Sequence, residues 1–227
     1  MIFRQMFDPE SSTLTYLFAD DQGSAVIIDP VLEYVERYLS LLKSLKLTLR
    51  MVLDTHVHAD HITGSQALRK HTCATTVIAQ NCGAPGYDRL LKDGDTLTFG
   101  GETIRVIATP GHTAGSLCYF WRDRLFTGDT LMINACGRTD LQQGSAIAMY
   151  HSITEKLFTL PDETLVYPAH DYKGRRVSSI GEEKVLNMRI AGKSEAEFVE
   201  IMNNLNLATP KRIHEAVTAN LLGGIRP

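Results

Sequence analysis

Cysteine is scarce and scattered in this 227-residue sequence: Cys73, Cys82, Cys118 and Cys136 form no C-x-x-C pair and stand in unrelated contexts. That argues against a disulfide framework, so reduced thiols and a cytoplasmic location are expected. The opening segment MIFRQMFDP lacks the apolar core and small-residue cleavage site of a signal peptide. No apolar run approaches the roughly 18 residues of a spanning helix, and no membrane association is expected. Lysine and arginine form no block, and the net charge is −3. No basic field for nucleic acid follows from that distribution. There are no internal repeats and no low-complexity linker. With 44% hydrophobic residues the chain can bury a full core, and a single domain over residues 1–227 is the simplest organisation.

What the chain has instead is histidine in a tight group. Thr55-His56-Val57-His58-Ala59-Asp60-His61 directly follows a short apolar run. Imidazole and carboxylate together suit first-row transition metals such as zinc, iron and manganese. A helix does not explain the spacing, because residues two apart do not share a helical face. In an extended segment His56 and His58 share a face, and a loop beyond them can bring Asp60 and His61 around.

Three further candidate ligands sit in the same local setting. Ile104–Ala108 runs into Thr109-Pro110-Gly111-His112. Arg124-Leu125-Phe126 leads through Thr127-Gly128 into Asp129, and Thr164–Tyr167 through Pro168-Ala169 into His170. The run Leu49–Leu53 ahead of Asp54 and Thr55 completes the set. Each time, an apolar strand-like run stops at a Gly, Pro or Asp turn signal and a potential ligand follows. Ligands presented from strand ends at a common edge are function carried on loops held by a rigid scaffold.

Residues 13–19 and 24–29 read as a strand pair. Asp29-Pro30 reads as an N-cap with proline at the first helical position, before a helix with Val35, Tyr38, Leu39, Leu42 and Leu45 on one face. A short helix over 63–71, a strand over 74–79 and a hairpin around Gly100-Gly101 follow. An amphipathic helix is expected over 145–158, with Ile147, Tyr150, Ile153 and Leu157 as its stripe. Beyond residue 175 the chain reads as helical. Ser194–Glu197 is a capping-box pattern before Phe198, Ile201, Met202 and Leu205, and Pro210 is expected to end that helix. The fold class is α+β, with two sheets packed face to face and helices outside.

His56-x-His58-x-Asp60-His61, Gly111-His112-Thr113-x-Gly115-Ser116, Gly128-Asp129-Thr130 and Pro168-Ala169-His170 together resemble the metallo-β-lactamase superfamily over residues 10–172. The resemblance implies an αββα sandwich with a metal site at one edge. It implies one metal position at His56, His58 and His112 and another at Asp60, His61 and His170, bridged by Asp129; all seven side chains are present. The segments Ala135–Gly144, His170–Gly174, Glu182–Lys184, Leu186–Arg189 and Asn203–Leu207 are similar to those of the persulfide dioxygenases, enzymes of sulfur metabolism.

That family resemblance implies one iron(II) per chain on His56, His112 and Asp129, with His58, Asp60, His61 and His170 supporting the ligands and tuning the metal. It also implies glutathione persulfide and O₂ as substrates and a homodimeric enzyme. Two histidines and a carboxylate with open positions form the non-haem iron oxygenase arrangement. Glutathione brings two carboxylates, for which Arg138, Tyr172, Lys173 and Arg189 are the candidate contacts. The alternative is a two-zinc thioester hydrolase of the glyoxalase II type, which shares the histidine cluster and a Cys-Gly-Arg segment. A third reading, of a different class, is a scaffold protein with an inert metal.

Overall fold

The β-branched and aromatic runs of the sequence become the strands of two mixed, six-stranded sheets in the computed structural model, which describes residues 1–226. The first sheet orders β1 (Ile2–Phe7), β2 (Leu14–Ala19), β3 (Ser24–Ile28), β4 (Thr48–Leu53), β5 (Thr75–Ala79) and β6 (Arg89–Leu91) in sequence order. Its first three strands are antiparallel and the pairings from β3 to β6 are parallel. The second sheet contains β7 (Thr96–Phe99), β8 (Glu102–Ala108), β9 (Leu117–Trp121), β10 (Arg124–Gly128), β11 (Leu165–Pro168) and β12 (Ser178–Ser179), also adjacent in sequence order. Among the described residues six α-helices accompany them: α1 (Val35–Ser44), α2 (Ser65–Thr72), α3 (Ala146–His151), α4 (Ile180–Leu186), α5 (Glu195–Asn203) and α6 (Ile213–Leu221). The fold class is α+β, as expected.

The chain divides into two compact units. One comprises Met1–Leu91, Thr96–Thr103 and Thr209–Pro227, the other Lys92–Asp95 and Ile104–Ala208. In the first, Leu17, Ile27 and Val52 of the sheet pack on Val35, Tyr38 and Leu42 of α1 and Leu68 of α2. In the second, Cys118, Leu125 and Val166 pack on Met149, Ile153, Leu157, Phe198 and Met202. Each fully buried aliphatic or aromatic side chain contributes about 1.5–3 kcal/mol. No helix among the described residues is long and apolar enough to cross a membrane.

Three local expectations are corrected. Asp29 does not cap a helix. It sits at φ +51° and is buried, with its carboxylate turned toward Thr55. The chain then passes through a 3₁₀ turn, Leu32–Tyr34, before α1 begins. The helix expected over 145–158 is α only to His151 and continues as a π-turn over Ser152–Leu157, with Phe158 donating to the Ile153 carbonyl at 2.8 Å. Ile153 and Leu157 are buried as expected, with Met149 beside them and Tyr150 packed against the same core, whereas Ile147 is exposed. The capping box at Ser194 and Glu197 forms as read, but α5 ends at Asn203, well before Pro210. The tail is helical, yet α6 belongs to the first unit and α4 and α5 to the second.

Candidate metal centre

The histidine segment is the loop that leaves the C-terminal end of β4 in the first unit. His56, His58 and His61 are all buried there. The rings of His56 and His58 lie 4.1 Å apart, and those of His58 and His61 4.4 Å. His58 Nε2 is 3.0 Å from Asp29 Oδ1. His61 Nδ1 is 3.0 Å from Asp60 Oδ2 and 3.2 Å from the Thr13 hydroxyl, which itself donates to Asp60 at 3.1 Å. His58, Asp60 and His61 can each bring one ligand atom within 4.8 Å of the others.

Two buried carboxylates hold this loop from beneath. Asp29 accepts from the Thr55 amide at 2.7 Å and the Thr55 hydroxyl at 2.9 Å. Burial pushes its carboxyl up to about 6, against the pull of nearby histidines and the Thr55 hydrogen bonds. Asp54 accepts from the hydroxyls of Thr63, Ser65 and Tyr87 at 2.9, 2.6 and 2.6 Å, and burial likewise raises its carboxyl. From the far end of the sequence, Asn220 on α6 donates to the carbonyls of His58 and His61 at 2.9 and 2.8 Å and accepts from the Thr63 amide at 2.8 Å. Next to it, a Cβ on Gly224 would sit 1.9 Å from the Thr63 carbonyl oxygen. Sequence reading missed Asn220, because nothing in its neighbourhood marks it.

In the second unit β8, β10 and β11 run in the same direction, since β9 is antiparallel to both β8 and β10 while β10 and β11 are parallel. Their C-terminal ends therefore share one edge of the sheet. His112, Asp129 and His170 follow those ends and come together. His112 Nε2 is 3.5 Å from Asp129 Oδ2. Metal bonds of about 2.0–2.2 Å to imidazole and carboxylate suit two donors at about this separation. His112 Nδ1 lies 2.7 Å from the Arg138 carbonyl, which turns Nε2 toward Asp129. His170 Nδ1 lies 2.7 Å from the other Asp129 oxygen, Oδ1, so it orients that carboxylate. Gly137 lets these groups approach: a Cβ there would lie 2.4 Å from the Asp129 carbonyl oxygen and 2.9 Å from His112 Nδ1. Hard carboxylate and borderline imidazole donors, braced in this way, fit a divalent transition-metal ion.

The expected substrate contacts lie around the second group in varied settings. Arg138 reaches His112 through its carbonyl. Its guanidinium is bidentate to Asp140, with both contacts at 2.7 Å, and donates to the Ala208 carbonyl at 2.7 Å. The Arg138 hydrogen bond holds the Asp140 carboxyl below the usual range. Arg189 donates to the Cys136 carbonyl. Tyr172 is exposed and stacks parallel to His170, centroids 6.0 Å apart. Lys173 is exposed. Cys136 is buried against Met202, and burial pushes its thiol up to about 11, so it is not a thiolate nucleophile at neutral pH.

The chain belongs to the metallo-β-lactamase superfamily, whose family model matches residues 8–170. Within it, the chain belongs to the persulfide dioxygenase family. It is 46% identical to the human mitochondrial persulfide dioxygenase ETHE1, over 100% of this chain and 90% of that protein. The crystal structure of ETHE1 from Myxococcus xanthus matches with a TM-score of 0.97 at 56% identity, covering 99% of this chain and 100% of that one. A hydroxyacylglutathione hydrolase from Brucella anthropi is 45% identical, but over 55% of this chain and 48% of the hydrolase. The chain is thus a metal-binding protein of this superfamily.

Proposed function

We propose that this protein oxidises glutathione persulfide with O₂ to sulfite and glutathione at a single iron(II). The observation that carries the reading is end-to-end similarity to persulfide dioxygenases, whereas the likeness to two hydroxyacylglutathione hydrolases covers 55% and 73% of the chain, at 45% and 38% identity. His56, His112 and Asp129 are the proposed ligands. All three lie within residues 8–170, which one family model matches. A single functional domain over the whole chain is part of the same reading.

The reaction balances as GSSH + O₂ + H₂O giving GSH and sulfurous acid. The outer sulfur loses four electrons and O₂ gains them. The outer sulfur becomes a sulfinate still bonded to the glutathione sulfur, and water then cleaves that S–S bond, releasing sulfite and glutathione. Bound iron(II) supplies the one-electron chemistry that makes O₂ reactive toward a sulfur anion. The protein's own contribution is positioning and electrostatics. The Arg138 carbonyl fixes the His112 ring, His170 fixes the Asp129 carboxylate, and the Asp29–Thr55 pair and Asp60 fix the histidine loop. His58, Asp60, His61 and His170 act through these hydrogen bonds and not as nucleophiles. Arg138, Tyr172, Lys173 and Arg189 are the proposed contacts for the peptide arms of glutathione. The Arg189 guanidinium is held by the Cys136 carbonyl, and a fixed cation recognises a carboxylate at lower entropic cost; that of Arg138 is already paired with Asp140 and held by the Ala208 carbonyl, so it would meet a substrate carboxylate as part of that pair.

The deciding experiment loads the full chain anaerobically with iron and measures O₂ uptake with glutathione persulfide and, separately, hydrolysis of S-lactoylglutathione. Oxygen uptake with sulfite formation and no thioester hydrolysis supports the dioxygenase. Hydrolysis by a two-zinc form without O₂ uptake overturns it. All four cysteines are free thiols, which fits a reducing compartment, and the cytoplasm is the proposed location. A homodimer is the proposed assembly, checked by sedimentation equilibrium.

A further inference from the structure

Thr55 stands between a buried carboxylate and a proposed metal ligand. Its hydroxyl donates to Asp29 Oδ2 at 2.9 Å and lies 3.0 Å from His56 Nδ1. A hydroxyl has one hydrogen and two acceptor lone pairs, and a carboxylate only accepts. The Thr55 hydrogen is committed to Asp29, so what the hydroxyl turns toward His56 Nδ1 is a lone pair. The contact is then favourable only if His56 Nδ1 carries the ring hydrogen. The opposite constraint acts on the neighbouring ring. His58 Nε2 faces Asp29 Oδ1 directly, at 3.0 Å, so there the hydrogen belongs on Nε2.

We propose that Thr55 is a positioning residue which, backed by Asp29, keeps the hydrogen of His56 on Nδ1 and reserves Nε2 for the metal. One carboxylate thus sets both rings in opposite senses: His56 presents Nε2 and His58 presents Nδ1. The backbone already serves this arrangement. Asp29 stands at φ +51°, a conformation uncommon outside glycine. It is held there by its own amide on the Leu53 carbonyl at 2.9 Å and by the Thr15 hydroxyl on its carbonyl at 2.7 Å. The Thr55 amide, on Asp29 Oδ1 at 2.7 Å, fixes the threonine against the same carboxylate. The inference rests on the reading of His56 as a ligand.

The test is ¹⁵N-histidine NMR of the full chain, metal-free and loaded with zinc as a diamagnetic stand-in, for wild type, Thr55→Ser and Thr55→Val. Wild type and Thr55→Ser are expected to carry the hydrogen on Nδ1 of His56 and on Nε2 of His58 in both states. Metal-free Thr55→Val should lose the fixed tautomer at His56 alone. Chelator competition should show its iron affinity reduced about 10–100-fold, the usual cost of removing such an outer partner, with Thr55→Ser close to wild type. A wild-type spectrum with the hydrogen on Nε2 of His56 overturns the proposal, and that measurement stands even if Thr55→Val does not fold. Unchanged His56 signals and iron affinity in a folded Thr55→Val overturn it as well. If instead zinc leaves the His56 ring signals unmoved, the ligand assignment fails, while the metal-free spectra still report on Thr55.

Discussion

Asn220 donates to the carbonyl of His61 at 2.8 Å across 159 residues of sequence. The same carboxamide binds the His58 carbonyl and the Thr63 amide, so α6 closes over the backbone of the histidine loop. Replacing Asn220 by Ala leaves those buried groups without this partner, at about 1–3 kcal/mol for each unsatisfied group. The melting temperature should fall by at least about 3 °C for a chain of this size, and iron retention should fall with it. A melting curve and iron content identical to wild type would mean that α6 does not hold the loop.

Metal stoichiometry separates the dioxygenase from the hydrolase. Elemental analysis of anaerobically purified protein should give one iron per chain. Two zincs per chain, in protein that stays inactive when reloaded with iron, would reassign Asp60, His61 and His170 as ligands of a second ion.

His56→Ala, His112→Ala and Asp129→Ala should each abolish iron retention. His170→Ala and His61→Ala should keep iron and lower activity about 10–100-fold, because His170 acts on Asp129 Oδ1 and His61 is tied to Asp60 and Thr13. Metal analysis beside activity reads this directly. Loss of iron from His170→Ala as complete as from His112→Ala contradicts the single-ion assignment.

Arg189→Ala should raise KM for glutathione persulfide by roughly 10–150-fold, the equivalent of one charge-assisted hydrogen bond, with iron content intact. A small persulfide lacking the γ-glutamyl and glycyl arms should barely notice the change. Equal loss with both substrates would show that the bond from Arg189 to the Cys136 carbonyl is its whole role.

His151 lies between Glu155 and Glu195, at 2.7 and 2.9 Å, and the hydrogen bond to Glu155, with the charges of both carboxylates, raises its pKa. A raised folded-state pKa means that the contribution is complete below the ordinary value of about 6.5 and is lost as pH rises through the folded value. The stability difference between wild type and His151→Gln should therefore be largest in mild acid and vanish in alkali. The pair is exposed, so the difference is small and screened by salt. A difference that grows with pH would contradict the arrangement.

The proposed ligands were picked out in the sequence because each follows an apolar run broken by a turn residue. That pattern is local: strand periodicity and turn chemistry act within a few residues, and β4, β8, β10 and β11 end where the runs end. The α+β class and the capping box at Ser194 were legible for the same reason. Tertiary structure alone decided what stands behind the proposed ligands. Asp29 reads as a helix cap, since Asp-Pro is one by local rules, yet burial beside Thr55 gives its carboxylate an amide donor in place of a helix end's, and a hydroxyl donor besides. Arg138 reads as a substrate cation, and its carbonyl turns out to steer His112. Asn220 carries no local signal at all. Hydrogen bonds that join residues 26 to 162 positions apart leave no trace in periodicity, because their geometry exists only after the sheets have brought distant backbone together.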